Sequence, residues 1–223
     1  MPRQVDHVSR RRLIAEAVCD LADERGLEGV TLRDVASRAQ VSMGAVQRCF
    51  RTKEEMLVFA LGHIGDRIIE RVQARLVRSP VQSAGTAVGH AVTEISLLRE
   101  EHRAEARVWL AFVAQAAVSE ALAKTLKANY ATLEATFTRL ISEAGEGADR
   151  AVPLDPQREA RTLLALADGL TAHVLIGHLT PQEAHDVLHA HLANLWEQPV
   201  RPPRATVESS SSGSAPPSGR RGS

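Results

Sequence analysis

The chain has 223 residues, 44% hydrophobic and only 3% aromatic, enough for one moderate domain plus a small one with a buried core. Its 27 Lys and Arg balance 27 Asp and Glu, which excludes a uniformly basic or acidic coat. No secretory apolar segment opens the sequence and no apolar run reaches about eighteen residues, so the expectation is a reduced cytoplasmic protein with no membrane span.

The elements read in order as helices. Leu13, Ile14, Ala17, Val18 and Leu21 form one apolar helical face, and Gly26 supplies a C-terminal stop. Arg10, Arg11 and Arg12 precede that face, placed either to touch phosphate or enter a minor groove as an arm, or to stand as a solvated helix start. Thr31 then caps a short helix with Leu32, Val35, Ala36 and Ala39 on its inner side. Ser42 caps another, whose buried side is Ala45, Val46 and Phe50. The connection is short, and small Ala36 sits where Val46 must pack. Two short helices joined this way form a helix-turn-helix, whose second helix lies in the major groove of DNA. Met43, Gly44, Gln47 and Arg48 fall on its exposed, N-terminal part. Thr52 caps the next helix, with Glu54 and Glu55 favourable in its first turn.

Over residues 9–60 this order and spacing resembles the TetR family of bacterial transcriptional regulators. The resemblance implies an all-α fold of about nine helices. A three-helix DNA-binding domain, 1–53, is followed by an effector-binding and dimerisation domain, 54–198. Arg33 and Lys53 match positions that touch DNA in the family, Arg33 suited to guanine and Lys53 to phosphate. The expected DNA-contacting set is Arg10, Arg11, Arg12, Thr31, Arg33, Ser42, Met43, Gly44, Ala45, Gln47, Arg48 and Lys53. Three residues depart from the family pattern. Gln40 stands where Gly is commonest in the turn, so a non-Gly residue is expected at positive φ. Gln47 replaces Tyr or Phe, exchanging a phosphate-contacting ring for an amide able to pair with adenine. Cys49 replaces a frequent His. Residues 1–53 carry ten Lys and Arg against seven Asp and Glu, while 54–200 carry thirteen against nineteen. A basic head on an acidic body suits docking on DNA in one orientation. Cys19 and Cys49, both on head helices, read as buried inert thiols.

The body is helical throughout, with helices expected near 53–78, 83–100, 102–117, 119–145, 156–178 and 181–197. Residues 199–223, rich in Ser, Pro and Gly, are expected to be disordered. In 156–178 the sequence is apolar nearly all round after Thr162, with Ala165, Gly169 and Ala172 as small positions. In 181–197, Ala184, Val187, Leu188, His191, Leu192 and Leu195 share one side. That much apolar surface requires a partner, and in the family these two helices pair with their mates. The expectation is a homodimer through residues 156–197, placing recognition helices about 34 Å apart on a palindromic double-stranded operator.

Trp109, Phe112, Asn129 and His173 are the ligand-binding candidates: two scarce large rings, an amide inside an apolar stripe, and a polar residue in an apolar helix. The WLAF segment, the DGL at 168–170 and the LTPQEAHDVLHAHL segment resemble the TetR subgroup with a BetI-type C-terminal domain. The subgroup implies a choline-like effector. Cation recognition wants an aromatic cage, however, and two Trp, one Tyr and four Phe are few. An apolar or amphipathic small molecule is the more neutral expectation. His185 and His189 stand four apart but lack further ligands, so no metal and no cofactor is expected. No phosphate loop, nucleophile elbow or paired-carboxylate constellation suggests an enzyme. The expected function is a ligand-released repressor. The alternative is a small-molecule- or metal-sensing dimer whose head contacts protein rather than DNA.

Overall fold

The computed structural model describes residues 2–77, 83–145 and 154–196, with side chains from residue 7 onward. The expected disordered tail, 199–223, lies outside the described residues. Nine α-helices are present among them: α1 Pro2–Arg25, α2 Leu32–Arg38, α3 Met43–Cys49, α4 Lys53–Val77, α5 Ala84–Ile95, α6 Arg103–Ala116, α7 Glu120–Gly145, α8 Pro156–Leu175 and α9 Pro181–Trp196. A 3₁₀ turn, Glu100–His102, leads into α6.

Helix α1 begins well before the three arginines, so Arg10, Arg11 and Arg12 are helical and do not form an arm. Its inner face is Ile14, Ala15, Val18, Leu21 and Ala22. Leu13, expected on that face, is half exposed, because Ala15 takes the inward position instead. Gly26 at φ +72 ends the helix, donating to the Ala22 carbonyl at 2.9 Å.

The turn between α2 and α3 matches the expectation for Gln40, whose φ is +53. Gln40 N–H donates to Ser37 and Val41 N–H to Ala36, a left-handed helix-ending motif that glycine fills without strain. Gln40 is exposed, so its side chain contributes no burial there. Gln40→Gly is expected to stabilise the protein by about 0.5–1 kcal/mol, read as a raised urea midpoint with unchanged slope. A lowered midpoint contradicts this account of the turn.

Thr52 Oγ1 accepts from Glu55 N–H at 3.0 Å, and the Glu55 carboxylate accepts from Arg51 N–H at 2.8 Å, fixing the start of α4. From there α4 runs 25 residues from the helix-turn-helix into the body, burying Met56, Ala60, Ile64, Ile68 and Val72. The buried core is continuous from Ile14 in α1 to Leu192 in α9, so head and body share one apolar interior.

Helix α5 stops at Ile95 instead of continuing to 100. Leu97 adopts φ +49 and, with Leu98, turns into the core. Helix α8 ends at Leu175 because Gly177, φ +74, lets His178 and Leu179 donate back to the His173 carbonyl. Its start is Asp155, which accepts from Arg158 N–H at 3.1 Å ahead of Pro156. At α9, Thr180 and Glu183 cap each other reciprocally, Thr180 N–H to the carboxylate at 2.7 Å and Glu183 N–H to the hydroxyl at 3.2 Å.

Candidate nucleic-acid interface

The helix-turn-helix is built from a few small contacts. Val46 is fully buried and Ala36 nearly so, which lets α2 and α3 approach closely. Thr31 Oγ1 accepts from Asp34 N–H and donates to the Asp34 carboxylate at 2.7 Å. Ser42 Oγ accepts from Ala45 N–H at 3.1 Å, satisfying one of the open donors of α3. Phe50 N–H closes α3 on the Val46 carbonyl.

The expected contact residues fall into three groups. Arg33, Met43, Gln47 and Arg48 are exposed, and neither arginine is in an ion pair among the described residues. Thr31, Ser42 and Gly44 border α2 and α3, the two hydroxyls already engaged in capping. Ala45 turns its methyl into the core, leaving only its backbone. Lys53 donates from Nζ to the Glu28 carbonyl at 3.2 Å, which leaves two of its three N–H donors for another acceptor.

Arg11 lies elsewhere. Its guanidinium sits 4.7 Å from the centroid of Phe50 and 4.2 Å from that of Phe59, with Nε buried and unpartnered among the described residues. It clamps α1 onto the start of α4 through cation–π contact. Arg12 is exposed beside the α1–α4 groove. Arg38, a nearby cation, is committed to the fold. Both Glu24 carboxylate oxygens lie 2.7 Å from its Nη2, and this pairing holds Glu24 below the usual carboxylate range.

The head meets the body where α1 contacts α6. Arg107 of α6 binds Asp23 of α1 through two contacts, at 2.5 and 3.0 Å, and Arg71 of α4 pairs with Glu105 at 2.9 Å. Partial burial pushes the Cys19 thiol here up to about 12; Cys19 is half-buried where full burial was expected, and Cys49 is buried. His102 is buried at the same junction with Nδ1 unpartnered among the described residues. Burial first, then Arg71, lowers its pKa below 6.5. A depressed histidine favours the fold above its unfolded value, and that stability is lost as pH falls through the folded value. Urea melts at pH 7.5 and 5.5 are therefore expected to show a smaller acid loss for His102→Gln than for the unaltered chain. An equal loss removes His102 from the account.

The four ligand candidates point in different directions. Trp109 Nε1 donates to Asp168 at 3.1 Å, Tyr130 OH donates to the other carboxylate oxygen, and the two rings meet edge to face at 5.9 Å. This triad ties α6, α7 and α8 together. Burial raises the pKa of Asp168 against its two hydrogen bonds, and burial with that neighbouring carboxylate raises Tyr130. Phe112 is fully buried. Asn129 presses on Gly65 of α4, where a Cβ would stand 2.4 Å from its Nδ2. His173 is exposed, its ring 4.9 Å from that of His178. None of the four lines the cavity between α4, α5 and α9. Asp168 and Tyr130, the partners of Trp109, were not among the expected site residues, being 59 and 21 positions from it with no periodicity to link them. His185 and His189 stack on each other at 4.2 Å, and no group of three His, Cys, Asp or Glu is gathered for a metal among the described residues. No helix among those residues is long and apolar enough to cross a membrane.

Comparison with known proteins closes the question of family. Residues 14–58 match the bacterial regulatory proteins of the tetR family. Residues 84–197 match the C-terminal domain of BetI-type transcriptional repressors. The HTH-type transcriptional regulator PksA of Bacillus subtilis (strain 168) is 32% identical over 176 residues, covering 79% of this chain and 83% of its own. The chain belongs to the TetR family. The BetI regulator of Escherichia coli (strain K12) is 28% identical over 171 residues, 76% of this chain and 84% of its own. A crystallised transcriptional regulator from Rhodococcus sp. Rha1 superposes with a TM-score of 0.73 at 30% identity, covering 83% of this chain and 95% of its own. This TetR-family chain is thus a DNA-binding transcriptional regulator of the helix-turn-helix type with a BetI-type C-terminal domain. The reading of a head that contacts only protein is set aside.

Proposed function

We propose that this regulator acts in the cytoplasm as a homodimeric repressor that binds a palindromic operator and leaves it when a small molecule enters the C-terminal domain. The exposed recognition surface of Arg33, Met43, Gln47 and Arg48 carries this reading, because these side chains are free of ion pairs and extend from a capped, rigidly packed helix pair. Arg33 and Gln47 read bases, Arg48 and Lys53 hold phosphate, and the hydroxyls of Thr31 and Ser42 border the backbone. Arg11 positions α1 on α4 rather than touching DNA.

Dimerisation through α8 and α9 is supported by what their outer faces expose. The inner face of α9 is Ala184, Leu188, Leu192 and Leu195. Val187, expected with them, stands outward at 44% exposure, and Ile176 after α8 is 77% exposed. Ala165, Gly169, Ala190 and Ala193 are small and exposed alongside. Small residues flanked by exposed large ones suit close helix pairing across a two-fold axis. Helix α4 joins each head to this dimer, so a ligand that prefers one position of α4 shifts the spacing of the heads.

Selection of bound duplexes from a randomised library tests this function. The expected product is a palindrome whose half-sites lie about one helical turn, or a multiple of it, apart. Arg33→Ala is expected to lose about 1–3 kcal/mol of specific affinity with relaxed preference at one base pair. Equal loss on selected and random duplex contradicts base reading by Arg33, and enrichment of single, unpaired half-sites contradicts the dimeric operator complex.

A further inference from the structure

A cavity of about 590 Å³ lies between α5, α9 and the last turn of α4, within the range of small-molecule sites. Its floor is flattened by two glycines one turn apart on α5. A Cβ on Gly85 would stand 3.4 Å from the Trp196 indole, and one on Gly89 would stand 3.8 Å from Leu192. The indole and the leucine thereby form an apolar wall facing α5.

The polar groups around this wall are unequal. Glu94 is the one carboxylate lining the cavity among the described residues, 6% exposed, and Arg99 lies 3.5 Å from it. That pair neutralises itself. Arg75 of α4 also lines the cavity, half-buried and in no ion pair among the described residues. His90 of α5 also lines the cavity, its Nδ1 buried without a partner among the described residues. His185 and His189 at the α9 side stack on each other. Among the described residues the cavity therefore holds one unpaired positive charge beside an apolar wall, with no carboxylate free of a partner. A cationic guest would meet Arg75. An anion with an apolar body matches both the charge and the wall.

We propose that this cavity is the effector site and takes an amphipathic carboxylate, its acid group on Arg75, its flat apolar body against Trp196 and Leu192. The proposal rests on the reading of the chain as an effector-released regulator and names the chemical class of the effector. Its position gives the ligand leverage. Arg75 is near the far end of the helix whose other end abuts the helix-turn-helix, and α9 is half of the proposed dimer face. Drawing Arg75 toward α9 alters how α4 lies against the dimer.

Calorimetric titration of the full-length protein with 2-naphthoate, 2-naphthamide and 2-naphthylmethylammonium tests the assignment. The carboxylate is expected to bind one per protomer, with the neutral and cationic probes about tenfold weaker or more. R75Q is expected to cost 2-naphthoate about tenfold or more while leaving 2-naphthamide unchanged. G85L fills the floor and is expected to abolish binding of all three. Because G85L risks displacing α9, its helicity and dimer state are measured alongside, and R75Q, which breaks no ion pair, carries the decision. Equal affinity for the three probes, an R75Q that binds 2-naphthoate normally, or no saturable heat with 2-naphthoate overturns the proposal. Operator binding on the same preparations separates the two readings. Intact, specific DNA binding alongside failed titrations sinks the cavity assignment alone, and absent DNA binding by the unaltered chain sinks the regulator mechanism beneath it.

Discussion

Gly169→Arg is expected to convert the dimer to a monomer and to weaken operator binding by about a hundredfold or more, because two linked heads gain that much from simultaneous engagement. Gly169 lies in the middle of α8, where glycine costs about 0.5–1 kcal/mol of helix stability relative to alanine. Among the described residues, its own helix and chain neighbours aside, no atom lies within 4 Å of where its Cβ would stand. A glycine that faces open space in mid-helix fits the close helix pairing proposed for this face. Within the protomer an arginine has room and is a better helix former, so far-ultraviolet circular dichroism should remain helical. Sedimentation velocity gives the mass. A variant that sediments as a dimer with full operator affinity places the interface elsewhere.

Phe50→Ala is expected to cost about 3–5 kcal/mol, the largest single stability loss predicted in the head. Phe50 is 1% exposed and its ring lies 5.4 Å from that of Phe59, with the Arg11 guanidinium over both. Truncation leaves a cavity at the point where α1, α3 and α4 meet, and the end of the recognition helix loses the ring that packs it down, while its closing N–H bond to Val46 stays. Specific DNA binding should fall with it, while the α8–α9 surface, far along the chain, remains able to pair. Arg11→Met gives the finer comparison. As a cation–π clamp, Arg11 contributes about 0.5–1 kcal/mol to stability, and its loss should leave the salt slope of DNA binding unchanged. A salt slope reduced by about one unit returns Arg11 to the phosphate contacts.

The head was legible because its signals are local. Thr31, Ser42 and Thr52 each cap the helix that follows within three residues, and the Ala36–Val46 packing sits inside one short motif. The positive φ of Gln40 was legible for the same reason, since the turn demands it whatever residue stands there. The arginine triplet was not, because charge alone does not tell a helix from an arm, and Arg11 finds its rings only after α3 and α4 fold back on α1. Helix ends at Leu97 and Gly177 escaped because the apolar pattern continues through both. The effector domain was least legible. Scarcity of rings pointed to Trp109 and Phe112, both buried and Trp109 bonded to Asp168, whereas the cavity proposed for the effector is lined by Arg75, His90 and Trp196, residues from three distant helices with no shared pattern.

The central claim is specific recognition of DNA by the helix-turn-helix. Fluorescence-anisotropy binding of the full-length protein to the duplex upstream of its own gene, against random duplex across a salt series, tests it most directly. The expected result is a preference of about a thousandfold with an affinity that falls steeply as salt rises. A folded dimer that binds neither duplex at low salt would contradict it.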